Sequence, residues 1–87
     1  MTEYRTVLHP AAREELRAID RSPALRILAK LAELEADPFG LDTTALTSAP
    51  ERRRLRVGNF RVTYTIEHSA LIVWVVQVGH RSSIYRT

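Results

Sequence analysis

Apolar residues recur with two different periods along the chain, and the change between them separates a helical half from a strand half. The segment from Tyr4 to Leu8 predicts a first strand. Pro10 follows at the position where a helix accepts proline, and Ala12, Leu16 and Ile19 then repeat at helical spacing. The chain is therefore expected to begin with a strand that leads into an amphipathic helix.

A second helix is predicted directly after the first. Ser22 is a suitable N-cap and Pro23 suits a first helical turn, and the helix is expected to end near Asp37. Its apolar stripe consists of Leu25, Ile27, Leu28, Leu31 and Leu34. Two helices joined so closely form a hairpin that needs a sheet to cover. Residues 39–50, rich in Thr, Ser and Ala, show no period and predict a loop.

From Arg52 onward the period is that of strands. Leu55 and Val57 fall on one side of the first strand, and the opposite side carries Arg52, Arg54 and Arg56. Gly58-Asn59 predicts a hairpin turn. The following strand alternates in the same way, and its polar side carries Arg61, Thr63, Thr65 and Glu67. Residues 71–78 are nearly all apolar, which predicts a central strand buried on both faces. A brief final strand is predicted at Ile84 and Tyr85.

These elements predict one α+β domain over residues 1–87: an N-terminal strand, a two-helix hairpin and an antiparallel meander. The helices are expected on one face of the sheet, and the Arg- and Thr-lined face is expected to stay open. The chain has no cysteine, so disulfides and thiolate metal sites are excluded. No run approaches the ~20 apolar residues of a membrane helix. We therefore expect a soluble, cytoplasmic protein.

Charge is segregated along the chain, although the formal net charge is only +3. Residues 1–50 carry six basic and eight acidic side chains, whereas residues 51–87 carry seven arginines and two glutamates. An acid-free stretch of ten residues contains Arg52, Arg53, Arg54, Arg56 and Arg61. Such a stretch indicates a surface that meets phosphate or an acidic protein. The alternative is a solvated strand edge that charge protects from aggregation.

Four blocks of sequence, in this order, carry a resemblance to a known family. They are Tyr4 to Ala12, Arg54-Leu55-Arg56-Val57-Gly58-Asn59-Phe60-Arg61-Val62-Thr63-Tyr64, Val78-Gly79-His80-Arg81 and Ile84-Tyr85-Arg86. Over essentially its full length the chain resembles the RelE/ParE toxin superfamily. The resemblance implies a RelE-like fold and a toxin of a type II toxin–antitoxin pair. It also implies a small antitoxin partner, through which the complex binds operator DNA.

Two activities share this fold, so side chains have to separate them. RelE-like members cut messenger RNA in the ribosomal A site, whereas ParE-like members inhibit DNA gyrase and are not nucleases. We favour the RelE-like endoribonuclease, with ribosome and mRNA as partners, over the ParE-like alternative. A third possibility is an inert RNA-binding module, but Phe60 and Tyr64 fall on the apolar side and leave no stacking platform.

The resemblance implies catalytic roles for Arg54, Arg61, Arg81 and Tyr85. Arg61 would clamp the scissile phosphate, Arg81 would bind the same phosphate or assist the leaving group, and Tyr85 would stack on a base. RNA-binding roles are expected for Arg52, Arg53 and Arg56. The alternatives are an arginine paired with Glu67 and a Tyr85 that covers the helices.

An acid or base is harder to assign, because arginine is a poor proton acceptor. His80 could transfer protons, but in an extended segment it would point away from the side to which Arg81 points. His9 and His68 are expected to be structural or exposed. No residue spacing indicates a metal site, and no cofactor is expected.

Overall fold

A computed structural model describes residues 3–40, 42–46 and 51–80. In these residues, two helices cover one face of a five-stranded sheet. The elements in chain order are β1 (Arg5–Leu8), α1 (Pro10–Arg17), α2 (Arg21–Ala36), β2 (Thr43–Ala45), β3 (Arg52–Val57), β4 (Phe60–Glu67) and β5 (Ile72–His80). No helix in these ranges is both long and apolar enough to cross a membrane.

The strands lie in the order β1-β5-β4-β3-β2. β1 pairs with β5 in parallel, and the other neighbours are antiparallel. The helices pack on the side of the sheet to which the apolar residues of β3 and β4 point. The predicted α+β architecture, with the helices on one face of the sheet, is confirmed, although Thr63 and Ile72 on the other face are also buried.

The hydrophobic core lies between the helices and the covered face. The helices contribute Ala12, Ile27, Leu31 and Leu34, and the strands contribute Leu55, Val57, Val62, Tyr64, Val73, Val75 and Val78. Burying one such aliphatic side chain stabilises the fold by about 1.5–3 kcal/mol. The hydroxyl of Tyr64 donates a hydrogen bond to the carbonyl oxygen of Pro38, which ties β4 to the segment after α2.

The helix starts agree with the sequence prediction at α1 and differ from it at α2. Pro10 is the first residue of α1, as predicted. The prediction that Ser22 caps α2 is wrong, because this helix begins at Arg21 after Asp20. Pro23 then lies inside the first turn. It is tolerated there because the first backbone N–H groups of a helix have no partner within the helix.

The segment predicted as a loop over residues 39–50 contains strand β2, so that prediction is wrong for these three residues. Backbone hydrogen bonds hold the strand to β3, from the Arg56 amide to the Asp42 carbonyl and from the Leu46 amide to the Arg52 carbonyl. A strand of three residues is too short to show a period in sequence. Because β2 covers β3, the arginines of β3 do not lie on a strand edge.

β5 lies inside the sheet, between β1 and β4, as predicted, but it is buried on both faces only at its start, at Ile72 and Val73. The register places Thr63 opposite Gln77 and Tyr64 opposite Val75, which leaves Val76 as the extra residue of a β-bulge. Further along the strand, Trp74 and Gln77 on the side away from the helices are only half-buried. The final strand predicted at Ile84 and Tyr85 lies outside the described residues.

Candidate functional site

The open face of the sheet carries arginines from two neighbouring strands. Arg52, Arg54 and Arg56 alternate with core residues along β3, and Arg61 lies on β4. The register places Arg56 directly opposite Arg61 and places Arg54 opposite Thr63. Paired residues of adjacent strands project to the same side of a sheet. The arginine cluster, as we call Arg52, Arg54, Arg56 and Arg61, therefore forms one cationic surface.

A tight hairpin brings Arg61 into the arginine cluster. Gly58 has a φ of 58°, a left-handed conformation that glycine adopts without strain. From Nη1, Arg61 donates to the carbonyl oxygens of Gly58, at 3.4 Å, and Phe60, at 3.3 Å. Both hydrogen bonds are long and therefore weak. Nη2 has no partner among the described residues, so the guanidinium keeps donors for an anion.

Three members of the arginine cluster have no acidic partner among the residues that the structure describes. In the described residues the ion pairs are Arg17–Glu14, Lys30–Glu33 and Lys30–Asp42. Glu67 on β4 instead accepts a hydrogen bond from the indole nitrogen of Trp74 at 2.9 Å. The alternative in which Arg61 pairs with Glu67 is therefore not realised. Arg52, Arg56 and Arg61 form no ion pair within the described part of the chain.

Arg56 and Arg61 lie directly opposite each other, and the repulsion between their charges lowers the stability of the fold. Like charges directly opposite each other on neighbouring strands are unfavourable by roughly 0.2–1 kcal/mol. The stability of the fold therefore does not explain why two arginines lie opposite each other. A surface that binds an anion does give one, because the anion relieves the repulsion.

Two predicted residues, Arg53 and His80, lie on the helix side of the sheet. Arg53 is half-buried, donates from Nη2 to the hydroxyl of Thr43 at 2.8 Å, and places its guanidinium carbon 4.8 Å from the centroid of the Phe39 ring. His80 lies opposite Phe60, and the two rings meet edge to face at 5.4 Å. Strand alternation points both side chains away from the arginine cluster, so the structure does not place them with it.

The structure brings together four of the predicted residues, those of the arginine cluster. The other two predicted catalytic residues, Arg81 and Tyr85, lie outside the described residues. Arg81 follows directly on β5, whose Gly79 lies opposite Arg61. The cluster itself supplies positive charge and hydrogen-bond donors, which suit the binding and neutralisation of a phosphate.

An aromatic residue on the open face was missed from the sequence. Trp74 lies opposite Thr65 on β4 and Val7 on β1, and the ring of His9 lies 5.4 Å from its ring. The continuous apolar run of residues 71–78 concealed the alternation of β5. The signal that could have found Trp74 is the hairpin register, because antiparallel pairing through the turn at 68–71 places it beside Thr65.

Known proteins share both the sequence pattern and the fold. A family model described as the ParE toxin of the type II toxin–antitoxin system, parDE, matches residues 6–85. The chain belongs to this toxin family. Its membership of the RelE/ParE superfamily, which the sequence blocks indicated, is thereby confirmed. No curated protein sequence matches the toxin significantly.

Solved structures of related toxins have the same fold. RelE in the archaeal RelE–RelB complex from Pyrococcus horikoshii matches with a TM-score of 0.79 and 23% identity, over 93% of this chain and 97% of that one. The isolated Escherichia coli RelE toxin gives 0.79 and 22%, over 94% and 90%. A YoeB/ParE toxin from Agrobacterium tumefaciens gives 0.76 and 17%, over 87% and 96%. At these identities the likeness shows the fold alone.

Proposed function

We propose that this toxin is a ribosome-dependent endoribonuclease that cuts messenger RNA in the ribosomal A site and so inhibits translation. The observation that carries the proposal is the arginine cluster, four arginines on the face of the sheet that the helices leave uncovered, of which Arg52, Arg56 and Arg61 form no ion pair within the described residues. A polyanion with closely spaced phosphates is the ligand that suits such a face.

The cluster suits the charge changes of RNA cleavage. The 2′-oxygen bonds to phosphorus and loses its proton, while the bond from phosphorus to the 5′-oxygen breaks and that oxygen gains a proton. Negative charge grows on the phosphate oxygens between these events. Arg61 would hold the scissile phosphate through Nη2, and Arg54 would neutralise the developing charge. Arg52 and Arg56 would bind flanking phosphates.

The cluster does not suit proton removal, because a guanidinium keeps its proton at neutral pH. An enzyme with strong charge stabilisation and a weak base gains most from a substrate held ready for in-line attack. The ribosomal decoding centre can supply that alignment, which accounts for the proposed dependence on the ribosome. Arg81 and Tyr85 remain our candidates for leaving-group assistance and base stacking.

We also propose a protein antitoxin as partner. The family model describes toxins of toxin–antitoxin systems, and the Pyrococcus horikoshii relative was solved with RelB. An antitoxin would silence the nuclease by covering the arginine cluster or by displacing residues that act with it. Contact with operator DNA would come through the antitoxin.

The second candidate function is inhibition of DNA gyrase by protein binding. The specific observation in its favour is the matching family model, which carries the ParE name. The family name does not decide between the nuclease and the gyrase inhibitor, since one similar toxin is named YoeB/ParE. The arginine cluster favours the nuclease, because a protein inhibitor has no need for repelling arginines aimed at one open surface.

The test is an incubation of purified toxin with messenger RNA, both free and on programmed ribosomes, followed by mapping of the cut sites. Arg61→Ala removes one charge from the cluster. Arg26→Ala is the matched control, because it removes the same charge from an exposed position on α2. Supercoiling by gyrase is measured with the same toxin preparations.

We expect cuts on ribosome-bound RNA from the wild type and from Arg26→Ala, and none from Arg61→Ala. Circular dichroism of each variant shows whether a lost activity reflects lost folding. Intact RNA together with inhibited supercoiling would replace the nuclease by the gyrase inhibitor. Equal cutting by both variants would remove Arg61 from the site.

A further inference from the structure

The open face carries apolar side chains beside the arginine cluster. Trp74 lies on β5, with Val7 next to it on β1, and the charged residues Arg5 and Glu67 flank this pair. Trp74 and Val7 lie on the opposite side of the sheet from the buried residues Val73 and Val75. The helices therefore do not cover Trp74, and it is only half-buried.

Two contacts fix the orientation of the Trp74 side chain. Its indole nitrogen donates to Oε1 of Glu67 at 2.9 Å. The ring of His9, the residue before α1, lies 5.4 Å away at an interplanar angle of 48°. A ring held from two sides loses little conformational freedom when a ligand binds. The site is therefore ready for a flat ligand.

Trp74 belongs to the same surface as the arginine cluster. The register sets Arg52, Thr65 and Trp74 in one row across β3, β4 and β5, so the backbone of Trp74 lies about 10 Å from that of Arg52. Arg61 lies four residues along β4 from Thr65, about 14 Å away. An RNA strand bound at Arg61 can reach Trp74 with a base that is a few nucleotides from the bound phosphate.

We propose that Trp74, supported by His9, is a stacking site for an unpaired nucleobase of the RNA whose backbone the arginine cluster binds. The inference rests on the proposed function and deepens it, because it assigns a second contact with the same substrate. Stacking on an aromatic ring is how proteins hold single-stranded bases beside a cationic groove. Because a purine has a larger ring system than a pyrimidine, it stacks over a larger area, and we expect Trp74 to bind purines more tightly.

Continuity with the arginine cluster favours RNA over a protein at this position. An apolar protein surface would fit Trp74 and Val7, but it would leave the adjoining arginines without a partner. A nucleotide offers a flat base and a phosphate together. Arg5 adds a further cation on the far side, since it shares the open face with Val7 on β1.

The chain contains a single tryptophan, so its fluorescence reports on this site alone. The probe is a short single-stranded oligonucleotide with 2′-O-methyl groups, which cannot be cut because the nucleophilic hydroxyl is blocked. The matched control is an abasic oligonucleotide of the same length and charge. We expect the first to quench Trp74 in a saturable way, and the second to bind without quenching.

Two substitutions separate stacking from packing. Trp74→Leu keeps apolar bulk and loses the aromatic face, whereas Trp74→Phe keeps a ring. Oligonucleotide binding, measured by anisotropy of a labelled probe, should weaken roughly five- to a hundredfold in Trp74→Leu. It should weaken less in Trp74→Phe. The abasic probe should bind all three proteins equally.

The fluorescence experiment tests the stacking site and the cleavage experiment tests the nuclease, so each proposal can fail without the other. Unchanged fluorescence, or equal loss of affinity for base-containing and abasic probes, would overturn the stacking site even if the toxin cuts messenger RNA. Quenching by bases in a toxin that leaves messenger RNA intact would uphold the site and overturn the proposed nuclease. Quenching by the antitoxin but not by RNA would overturn the inference and assign Trp74 to a protein interface.

Discussion

Reversing the charge of Arg56 is expected to stabilise the folded toxin, although Arg56 is proposed to bind RNA. Arg56 lies directly opposite Arg61 and is exposed, so its side chain contributes little to the core. Arg56→Gln removes the repulsion between the two residues, and Arg56→Glu replaces it with attraction. The two substitutions form a graded series from repulsion through neutrality to attraction at one position.

The magnitude follows from the separation of the two charges. Charges about 6–8 Å apart in water-like surroundings interact with roughly 0.5–0.7 kcal/mol, within the range for cross-strand pairs. The glutamine variant gains about that amount at low salt, and the glutamate variant gains about twice as much. For a domain of this size, about 1 kcal/mol raises the melting temperature by roughly 4–8 °C.

Thermal unfolding is measured for each protein in about 10 mM and in about 150 mM salt. Screening at the higher salt, where the Debye length is about 8 Å, should reduce the gain by roughly half. A glutamate variant that is less stable than wild type at low salt would refute the placement of Arg56 against Arg61.

Three further predictions concern other parts of the molecule. Tyr64→Phe removes the buried hydrogen bond to the Pro38 carbonyl and should cost about 1–3 kcal/mol in urea unfolding; a cost below about 0.3 kcal/mol would contradict this contact. Glu15→Ala removes the carboxylate that accepts a hydrogen bond from the Val78 amide at 2.7 Å, and hydrogen exchange at this amide should become faster. Unchanged exchange would argue against this hydrogen bond. Replacing one arginine of the cluster by a neutral residue should make the slope of log affinity for single-stranded RNA against log salt concentration shallower by about 0.7. An unchanged slope would show that this arginine does not contact a phosphate.

The sequence predicted the covered and open faces of β3 and β4 because each strand has one buried side. Leu55 and Val57 point into the core, and the alternating arginines between them must point out. The same alternation brought Arg61 to the cluster through the Gly58 turn. Patterns of this kind are reliable where burial is one-sided, since a shift of one residue would bury the charges.

Other features could not be predicted, because tertiary contacts decide them. Strand β2 exists through its pairing with β3 and not through its own pattern. The bulge at Val76 changes which residues of β5 face the helices, and a uniformly apolar run does not reveal such a change. Trp74 lies before the bulge and was missed only because the apolar run hides its alternation, although the register from the 68–71 turn places it beside Thr65. Arg53 was grouped with its neighbours by position in the sequence, although alternation sends it to the other face.

The most direct test of the central claim compares two adjacent arginines on opposite faces. Arg54→Gln changes the open face and Arg53→Gln the helix side, and both remove one charge at neighbouring positions. The rate of messenger RNA cleavage on programmed ribosomes is measured in a single turnover for both variants and the wild type. We predict a loss of at least about a hundredfold for Arg54→Gln, as expected when a charge contact to the reacting phosphate is removed, and near wild-type cutting for Arg53→Gln. Equal rates for the two variants, or the larger loss at Arg53, would contradict the assignment of cleavage to the open face.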